Sequence, residues 1–373
     1  MKRLLSLLLA VAVCGCSPAG KGKPTGTAAS GEKAPPIVAL SAPTADADIE
    51  WEEWAPAGWA SSKLDWPAGA ASVGGRLYLA GTRKAKPPAG RDRITFAEIV
   101  FLEVTPAGFR EIAAYPSELG ECARAAVTSS PDGQVWFIGG AFTPPPIEAV
   151  PEGELEYAEL GTPEGNVYRW NRGDGKLVKE TLLPIPRSEA AAFFDQGELY
   201  VVGGVFDAVD PACDNNKQVH RYNRNDGLWT KLHDLKVPLA APAAAVARDG
   251  LYVIGGRQLK PVFPTNAVYR YDLTVFKWQR RPPMPSPRVA ASAYVVGDYI
   301  YVVGGREAEG MGTPGRLALK TLRYDVKKQL WEILPSPLPE GSVFTAYDGA
   351  DFYLIGNAKT YRGRLVKAAR PGA

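Results

Sequence analysis

Short apolar runs that end in glycine recur along the chain at intervals of about fifty residues. The clearest copies are LYVVGG at residues 199–204, LYVIGG at 251–256 and IYVVGG at 300–305, and weaker copies begin at Leu77, Val135 and Phe352. A run of β-branched and aromatic residues closed by glycine is typical of a buried strand followed by a turn that has no room for a side chain. The pattern predicts six copies of one structural unit.

Two hairpins are predicted in each unit. Turn signals such as Asp195-Gln196-Gly197 precede the glycine-ended runs, and small residues precede the turns, so the first two strands form an antiparallel hairpin. Further along, large apolar residues recur in pairs seven positions apart with a turn between them, which predicts a second hairpin. These pairs are Leu102 and Phe109, Trp170 and Leu177, Tyr222 and Trp229, Tyr271 and Trp278, and Tyr324 and Trp331.

A glycine pair followed by Tyr, with Trp seven residues later, closely resembles the kelch repeat. The resemblance covers roughly residue 51 to the C-terminus, although Thr82 and Asn357 replace the second glycine in the first and last units. It implies an all-β fold, a six-bladed kelch-type β-propeller in which the sheets stack around an axis. The tryptophans Trp229, Trp278 and Trp331 are then expected to pack between blades.

The last unit lacks one strand. Only sixteen residues follow Asn357, too few for two full strands, so the missing strand is expected from the N-terminal side. The spacing to the next glycine places Trp54 in the slot of the outer tryptophan of this unit. An N-terminal strand that completes the last blade would remove an exposed sheet edge.

The first residues are typical of an export signal. Residues 1–15 contain a charged start and an apolar run of ten residues, which is too short to span a bilayer. The run ends in a sequence that resembles the bacterial lipoprotein box, with Cys16 as the acylated residue. An ordinary secretory leader is the alternative.

The remaining chain divides into a tether, a domain and a tail. Residues 16–48 have the composition of a flexible tether, residues 49–368 form the propeller, and residues 369–373 are a tail. Lipidation at Cys16 predicts a bacterial cell-envelope protein. Because Ser17 is not the Asp that retains lipoproteins at the inner membrane, the outer membrane is expected in a Gram-negative host.

Composition narrows the functional classes. The formal net charge is +3, and about +1 without Lys2 and Arg3 of the leader, which gives no support for nucleic-acid binding. The chain has only two histidines, His220 and His233, too few for a histidine-ligated metal centre at the axis. No nucleophile elbow or phosphate-binding loop is present. We expect a monomer without a cofactor.

Arginines recur at similar distances from the glycine pairs. Arg187 and Arg288 lie sixteen residues before the first glycine and Arg124 fifteen, whereas Arg257 and Arg306 directly follow a pair and Arg83 follows the degenerate pair. Six of them are expected at the mouth of the central channel, where guanidinium groups would suit an acidic protein, peptide or glycan. The alternative is that they only join blades through carbonyl groups. A second set, expected to be structural, precedes the third-strand aromatic residues: Arg169, Arg221, Arg270 and Arg323. The six mouth candidates are Arg83, Arg124, Arg187, Arg257, Arg288 and Arg306.

Two other functions stay open beside binding. One is a sugar isomerase similar to the periplasmic sialate mutarotase, in which Glu189 or Glu340 would act as acid or base beside arginines. The other is a passive surface scaffold with no ligand at the mouth. Binding is favoured over catalysis because enzyme motifs are mostly missing.

Cysteines and two insertions complete the candidate sites. Cys122 and Cys213 are predicted to form a disulfide in an oxidising compartment, with two thiols or a metal pair as the alternative. The insertion at residues 141–165 is rich in Glu. The insertion at residues 205–216 carries Asp207, Asp210 and Asp214, weak candidates for Ca²⁺, and a solvated lid is the favoured interpretation.

Overall fold

A computed structural model describes residues 44–85, 97–117, 122–142, 162–163, 165–206, 213–259, 262–307, 315–341 and 344–368. All of them belong to one compact unit, Ile37–Ala373. The predicted signal peptide, Cys16, most of the tether and the tail lie outside the described residues, as do Asp207, Asp210 and most of the 141–165 insertion.

The described residues form strands and two short 3-10 helices, Trp59–Ser61 and Asp214–Lys217. The strands of the first half are β1 Ala47–Ala55, β2 Trp66–Val73, β3 Arg76–Lys84, β4 Ala97–Thr105, β5 Gly108–Ser117, β6 Cys122–Ala123, β7 Ala126–Ser129, β8 Val135–Ile138, β9 Ala141–Phe142, β10 Thr162–Pro163, β11 Asn166–Asn171, β12 Lys176–Leu182, β13 Ala191–Asp195, β14 Glu198–Val202, β15 Val219–Asn223 and β16 Leu228–Lys231. Those of the second half are β17 Leu239–Ala240, β18 Ala243–Ala247, β19 Gly250–Ile254, β20 Arg257–Leu259, β21 Val262–Pro264, β22 Val268–Asp272, β23 Lys277–Arg281, β24 Ser292–Val296, β25 Tyr299–Val303, β26 Arg306–Glu307, β27 Arg316–Leu317, β28 Lys320–Asp325, β29 Leu330–Pro337, β30 Phe344–Tyr347, β31 Asp351–Ile355 and β32 Thr360–Lys367.

Six four-stranded antiparallel sheets account for most of these strands. From the innermost strand outwards they are sheet 1 (β2-β3-β4-β5), sheet 2 (β7-β8-β11-β12), sheet 3 (β13-β14-β15-β16), sheet 4 (β18-β19-β22-β23), sheet 5 (β24-β25-β28-β29) and sheet 6 (β30-β31-β32-β1). The four-stranded unit predicted from the glycine-ended runs is therefore present.

Each inner strand contacts the inner strands of two neighbouring sheets. β2 contacts β7 and β30, β13 contacts β7 and β18, and β24 contacts β18 and β30. Small residues suit these crowded positions, as in the alanine-rich β18, whose residues are almost all buried. We call the end of each sheet where the second strand reaches its glycines the glycine end, and the opposite end, with the tight turn between first and second strands, the turn end.

Sheet 6 joins the two ends of the described chain. β1 runs antiparallel to β32, with Ala47 opposite Lys367 and Ala55 opposite Thr360. The slot of the outer tryptophan is filled by Trp51, which lies opposite Gly363, so the assignment to Trp54 is wrong. The reason is the connection to sheet 1, which contains a 3-10 helix and is longer than its equivalents. Trp54 instead packs edge-on against Tyr353, with ring centroids 5.6 Å apart.

The seven-residue pairs mostly lie opposite each other on strands three and four. This register holds in sheets 2 to 5, for example for Tyr222 with Trp229 and Tyr324 with Trp331. In sheet 1, Phe109 lies opposite Val104 instead of Leu102, because Thr105 pairs with Gly108 and the turn between them has only two residues. In sheet 3 the paired Asn223 and Leu228 enclose four residues, so the shorter turn of sheet 1 changes the spacing of the pair from seven to five.

The outer tryptophans link neighbouring sheets. The indole N–H of Trp229 donates to Thr181 Oγ1 at 3.2 Å, that of Trp278 to the His233 carbonyl at 2.9 Å, and that of Trp331 to the Pro282 carbonyl at 2.9 Å. Each acceptor belongs to the preceding unit. Trp331 is buried and the other two are half-buried, and packing with a polar anchor is the expected role of such tryptophans.

Small extra sheets extend the connections at the glycine end. They are β6-β9-β10 beside sheet 2, β17-β20-β21 beside sheet 4, and the β26-β27 hairpin beside sheet 5. Within the described ranges, no helix is long and apolar enough to cross a membrane.

Candidate functional site

Two of the six mouth arginines are buried inside their own sheets. Arg187 is 2% exposed and Arg288 is 1% exposed. The Arg187 guanidinium donates to the carbonyls of Ile185, Gly203 and Gln218 at 3.1, 3.0 and 2.8 Å, and burial lowers its pKa to about 10. Arg288 donates to the Gly304 carbonyl at 3.2 Å. Both therefore stabilise the glycine turn of their own unit. This agrees with the alternative in which these arginines contact carbonyl groups instead of a ligand.

Cys122 occupies in sheet 2 the position that Arg187 and Arg288 occupy in their sheets, and this position determines what its sulfur contacts. Its Sγ lies 3.3 Å from the Gly139 carbonyl, as the two arginines lie against theirs, and a Cβ on Gly140 would be 2.2 Å from the sulfur. Cys122 is buried and is not in a disulfide. The predicted Cys122–Cys213 bridge is therefore wrong, because the slot points the sulfur into its own sheet.

Four residues at the glycine end form a belt of main-chain hydrogen bonds from sheet 2 to sheet 5. Glu189 N donates to Arg124 O at 3.0 Å, Ala241 N to Glu189 O at 2.7 Å, and Ala290 N to Ala241 O at 3.0 Å. All four have positive φ, between 46° and 58°, a strained conformation for residues other than glycine. Arg124 is thus equivalent to Glu189, and not to Arg187 as the spacing suggested.

The two charged members of the belt form one ion-pair cluster with a third residue. Glu189 Oε1 is 3.2 Å from Arg124, and Glu189 Oε2 is 2.8 Å from Arg257, which lies on β20 beside sheet 4. The carboxylate is only 13% exposed, whereas the Arg124 and Arg257 side chains are 38% and 33% exposed. One shielded carboxylate therefore serves two guanidinium groups that remain partly open to solvent.

A similar arrangement lies on the β26-β27 hairpin. Glu307 is 2.9 Å from the buried Arg288 and 3.5 Å from Arg316, whose side chain is 71% exposed. Arg306 donates to the Gly315 carbonyl at 3.0 Å. We call Arg124, Arg257, Arg306 and Arg316, with Glu189 and Glu307, the arginine rim. Four guanidinium groups and two carboxylates give it a surplus of positive charge even when the buried Arg288 is left aside.

Arg83 does not join the rim. Because Thr82 replaces the second glycine, β3 continues to Lys84 and holds Arg83 within sheet 1. There its guanidinium pairs with Glu98 at 2.9 Å and Glu111 at 2.6 Å, and Glu111, with Glu98, raises its pKa. The Thr82 hydroxyl instead joins sheet 1 to the chain entering sheet 2 by accepting from Cys122 N and donating to Cys122 O, both at 3.1 Å.

The acid/base and cation candidates have structural partners. Glu340 Oε1 accepts the main-chain N–H groups of Asn357 and Ala358 at 2.8 and 3.1 Å, and so holds the turn that lacks its second glycine. Asp214 is paired with Lys217 at 2.7 Å. Among the described residues no group of three or more His, Cys, Asp or Glu could hold a metal ion.

The second arginine set is engaged in ion pairs on the sheet faces. Arg169 lies 2.8 Å from Glu180, Arg221 3.1 Å from Glu198, Arg270 2.9 Å from Asp249, and Arg323 2.7 Å from Glu332. Alternation along the strand accounts for this, since the neighbouring aromatic residue takes the opposite face.

Sequence reasoning missed Glu307 and Arg316. Glu307 directly follows Arg306, so a carboxylate beside the arginine was visible, but no spacing rule showed that it would reach Arg288. Arg316 lies at the far side of an insertion, and only the β26-β27 pairing brings it to Glu307.

Comparisons with known proteins support the fold. Residues 238–285 match the family model of the Kelch motif. The solved structure titled "Structure of YjhT" is similar at 16% sequence identity with a TM-score of 0.57, over 84% of this chain and 98% of that chain. No curated protein sequence matches. The predicted all-β class and the resemblance to kelch repeats are confirmed, and the chain carries a kelch motif on a β-propeller fold.

Proposed function

We propose that the six sheets close into one six-bladed propeller that presents the arginine rim at one end. Two observations support closure. β1 and β32 pair over their whole length, and inner strands β2 and β30, from the first and last sheets, are in contact. Closure places the belt residues around the channel mouth, so that Arg124 and Glu189 border the opening.

We propose that this rim binds an acidic peptide or protein, or a glycan that carries negative charge. The observation that carries the proposal is the sharing of Glu189 by Arg124 and Arg257. A guanidinium group has five N–H donors, and one shared carboxylate cannot saturate two such groups. An incoming carboxylate could pair with both arginines without displacing Glu189, as in other charge-assisted bidentate contacts.

Binding of a fluorescein-labelled oligoglutamate peptide to the full chain tests this proposal. We expect binding at about 0.01 M ionic strength that weakens markedly at about 0.15 M, where the Debye length falls from about 30 Å to about 8 Å. The double variant Arg124→Gln, Arg257→Gln should lose most of it. The matched control is Arg76→Gln, Arg110→Gln, because these arginines also share one carboxylate, Glu103, but at the turn end.

Equal loss in both double variants would mean unspecific charge attraction and would contradict the proposal. No binding at low salt would favour the passive scaffold. The isomerase alternative has no observation in its favour, because the Glu189 oxygens already carry ion pairs and Glu340 is bonded to a main-chain turn.

We propose further that the protein is exported and lipid-anchored at Cys16 in a bacterial envelope. The leader and its lipoprotein-like ending support this. Labelling with radioactive palmitate and fractionation of membranes test it. Cys16→Ser should abolish labelling and release the protein from the membrane. The control Cys14→Ser should keep the label and stay in the membrane fraction, and the reverse result would refute acylation at Cys16.

A further inference from the structure

A cavity bordered by described residues lies at the turn end, opposite the arginine rim. Its volume is ≈ 680 Å³. We call it the turn-end cavity. Sheets 1, 2, 3 and 6 contribute to its wall, which consists of residues 72–74, 129–133, 171–173, 194 and 347–348. This volume is within the range of roughly 300–1,000 Å³ of small-molecule sites, and none of the functions above uses it.

One wall of the cavity is a rigid chain of side chains. Phe194 packs on Trp136 with ring centroids 5.1 Å apart, and the Trp136 indole N–H donates to Ser130 Oγ at 3.1 Å. Ser130 in turn donates to Asp132, whose other oxygen accepts from Arg224 at 2.8 Å. The aromatic face and the carboxylate are therefore fixed before any ligand arrives, which lowers the entropy cost of binding.

The opposite wall offers a similar combination. Tyr347 presents a second half-buried ring, and its hydroxyl donates to the Gly349 carbonyl at 2.8 Å. Asp348 beside it accepts the main-chain N–H groups of Ala350 and Asp351 at 2.9 and 2.8 Å, which holds its carboxylate in place. Aromatic rings and oriented carboxylates thus face the cavity from two sides.

Donors come from the turn between β11 and β12. Arg172 makes a long hydrogen bond of 3.4 Å to the Val73 carbonyl and is otherwise exposed to solvent. Asn171 Oδ1 accepts Gly173 N at 2.9 Å, which holds this amide in place at the cavity wall. A ligand in the cavity would meet donors here and acceptors at Asp132 and Asp348.

The chemistry of this wall suits a polyhydroxylated ligand. Most drug-sized pockets are largely apolar, but this one combines serine hydroxyls, two carboxylates, an amide and a guanidinium with two aromatic rings. Sugar hydroxyls both donate and accept, and the C–H face of a pyranose packs on an aromatic ring. Asp132 is already paired with Arg224, so the remaining charges of the lining, on Asp348 and Arg172, balance each other, which favours a ligand without net charge.

We propose that the turn-end cavity is a binding site for a neutral saccharide of one to a few sugar units. The site is separate from the arginine rim in position and in ligand charge. The two binding proposals can therefore be refuted independently of each other.

Saturation-transfer NMR and titration calorimetry on the full chain with maltose, cellobiose and lactose, and with glucuronate as the acidic comparator, test the proposal. We expect transfer to at least one neutral disaccharide and none to glucuronate. Arg172→Ala should weaken the affinity about tenfold or more, as expected for loss of a charged hydrogen bond. Phe194→Leu keeps apolar volume but removes the ring, and should also weaken it.

Arg248→Ala is the matched control. Arg248 is another exposed arginine of a turn-end hairpin, paired with Asp298 at 3.1 Å and outside this cavity. Its variant should bind the saccharide unchanged, and thermal unfolding should show all variants folded. The proposal is overturned if no neutral saccharide shows transfer, if glucuronate binds better, or if Arg172→Ala and Phe194→Leu both bind like the unmodified chain.

Discussion

Replacing the buried Arg187 tests whether this arginine holds the fold or contacts a ligand. In the structure its guanidinium donates to three main-chain carbonyls and lies 3.2 Å from His220 Nδ1, with 2% of the residue exposed. Arg187→Met keeps the length of the side chain and removes every donor. The control is Arg221→Ala in the same sheet, since Arg221 is 36% exposed and pairs with Glu198 at 3.1 Å.

The expected loss in the free energy of unfolding depends on which carbonyls keep a hydrogen bond in Arg187→Met. The Gln218 carbonyl keeps a hydrogen bond from Gly203 N at 3.3 Å, whereas the carbonyls of Ile185 and Gly203 lose their guanidinium donor. The hydrogen bond to the Gly203 carbonyl is buried and that to the Ile185 carbonyl is partly buried, and a buried group left unpaired costs about 1–3 kcal/mol. Burial also lowers the pKa of Arg187 to about 10, so removing the charge offsets part of that cost. We expect a net loss of about 2–3 kcal/mol, against at most about 1 kcal/mol for the exposed control.

Urea unfolding followed by tryptophan fluorescence measures both losses, and peptide binding at the arginine rim gives a second readout. Arg187→Met should unfold at a clearly lower urea concentration and still bind oligoglutamate when folded. The reasoning would be refuted if Arg187→Met and Arg221→Ala had the same midpoint. A folded Arg187→Met variant that lost peptide binding would instead assign Arg187 to the ligand site.

Three further predictions concern other parts of the fold. Burial, reinforced by a neighbouring guanidinium, lowers the pKa of His220 to about 3. Below the unfolded pKa of about 6.5 the unfolded chain therefore binds a proton that the folded protein does not. The free energy of unfolding is unaffected by His220 above that pH and decreases as the pH falls towards 3, by up to about 1.4 kcal/mol per pH unit. His220→Gln should flatten the melting temperature against pH in that window, and parallel profiles would contradict this. Thr82→Val removes both hydrogen bonds to Cys122 and should cost about 1–3 kcal/mol in thermal unfolding, whereas Thr82→Ser should be close to the unmodified chain. Gly363→Ala would place a Cβ 2.6 Å from Ile49 Cγ2 and 2.8 Å from the Trp51 ring and should cost about 1–3 kcal/mol, of which adding Trp51→Ala should recover only the part due to the ring. A neutral Gly363→Ala would mean that β1, which carries both residues, does not lie there.

The repeating unit could be predicted because its signals are local. The glycine-ended runs, the tight turns and the seven-residue pairs all act within a hairpin, where neighbouring residues determine the register. Tyr222 opposite Trp229 and Tyr324 opposite Trp331 follow directly from that spacing. The same spacing failed in sheet 1, where a turn of only two residues places Phe109 opposite Val104.

Equivalence between units was harder to predict where insertions change the count. Arg124 is fifteen residues before its glycine, which suggested a match with Arg187, but the main-chain belt aligns it with Glu189. The slot of the outer tryptophan was assigned to Trp54 instead of Trp51 for the same reason, because a 3-10 helix lengthens the connection that follows. Counting residues does not measure position when a loop gains or loses a turn.

The sequence by itself determined the all-β class, the four-stranded unit and the kelch resemblance, because strand propensity, turn chemistry and periodicity are properties of short segments. Only the tertiary structure decided which arginines are buried and which are open, since that depends on neighbouring sheets that come together from distant parts of the chain. Arg187 precedes the first glycine of its pair by sixteen residues and Arg257 directly follows a glycine pair, and both positions were predicted to face the channel mouth. Arg187 is surrounded by its own sheet and Arg257 shares Glu189 at the rim, and the spacing to the glycines did not show this difference.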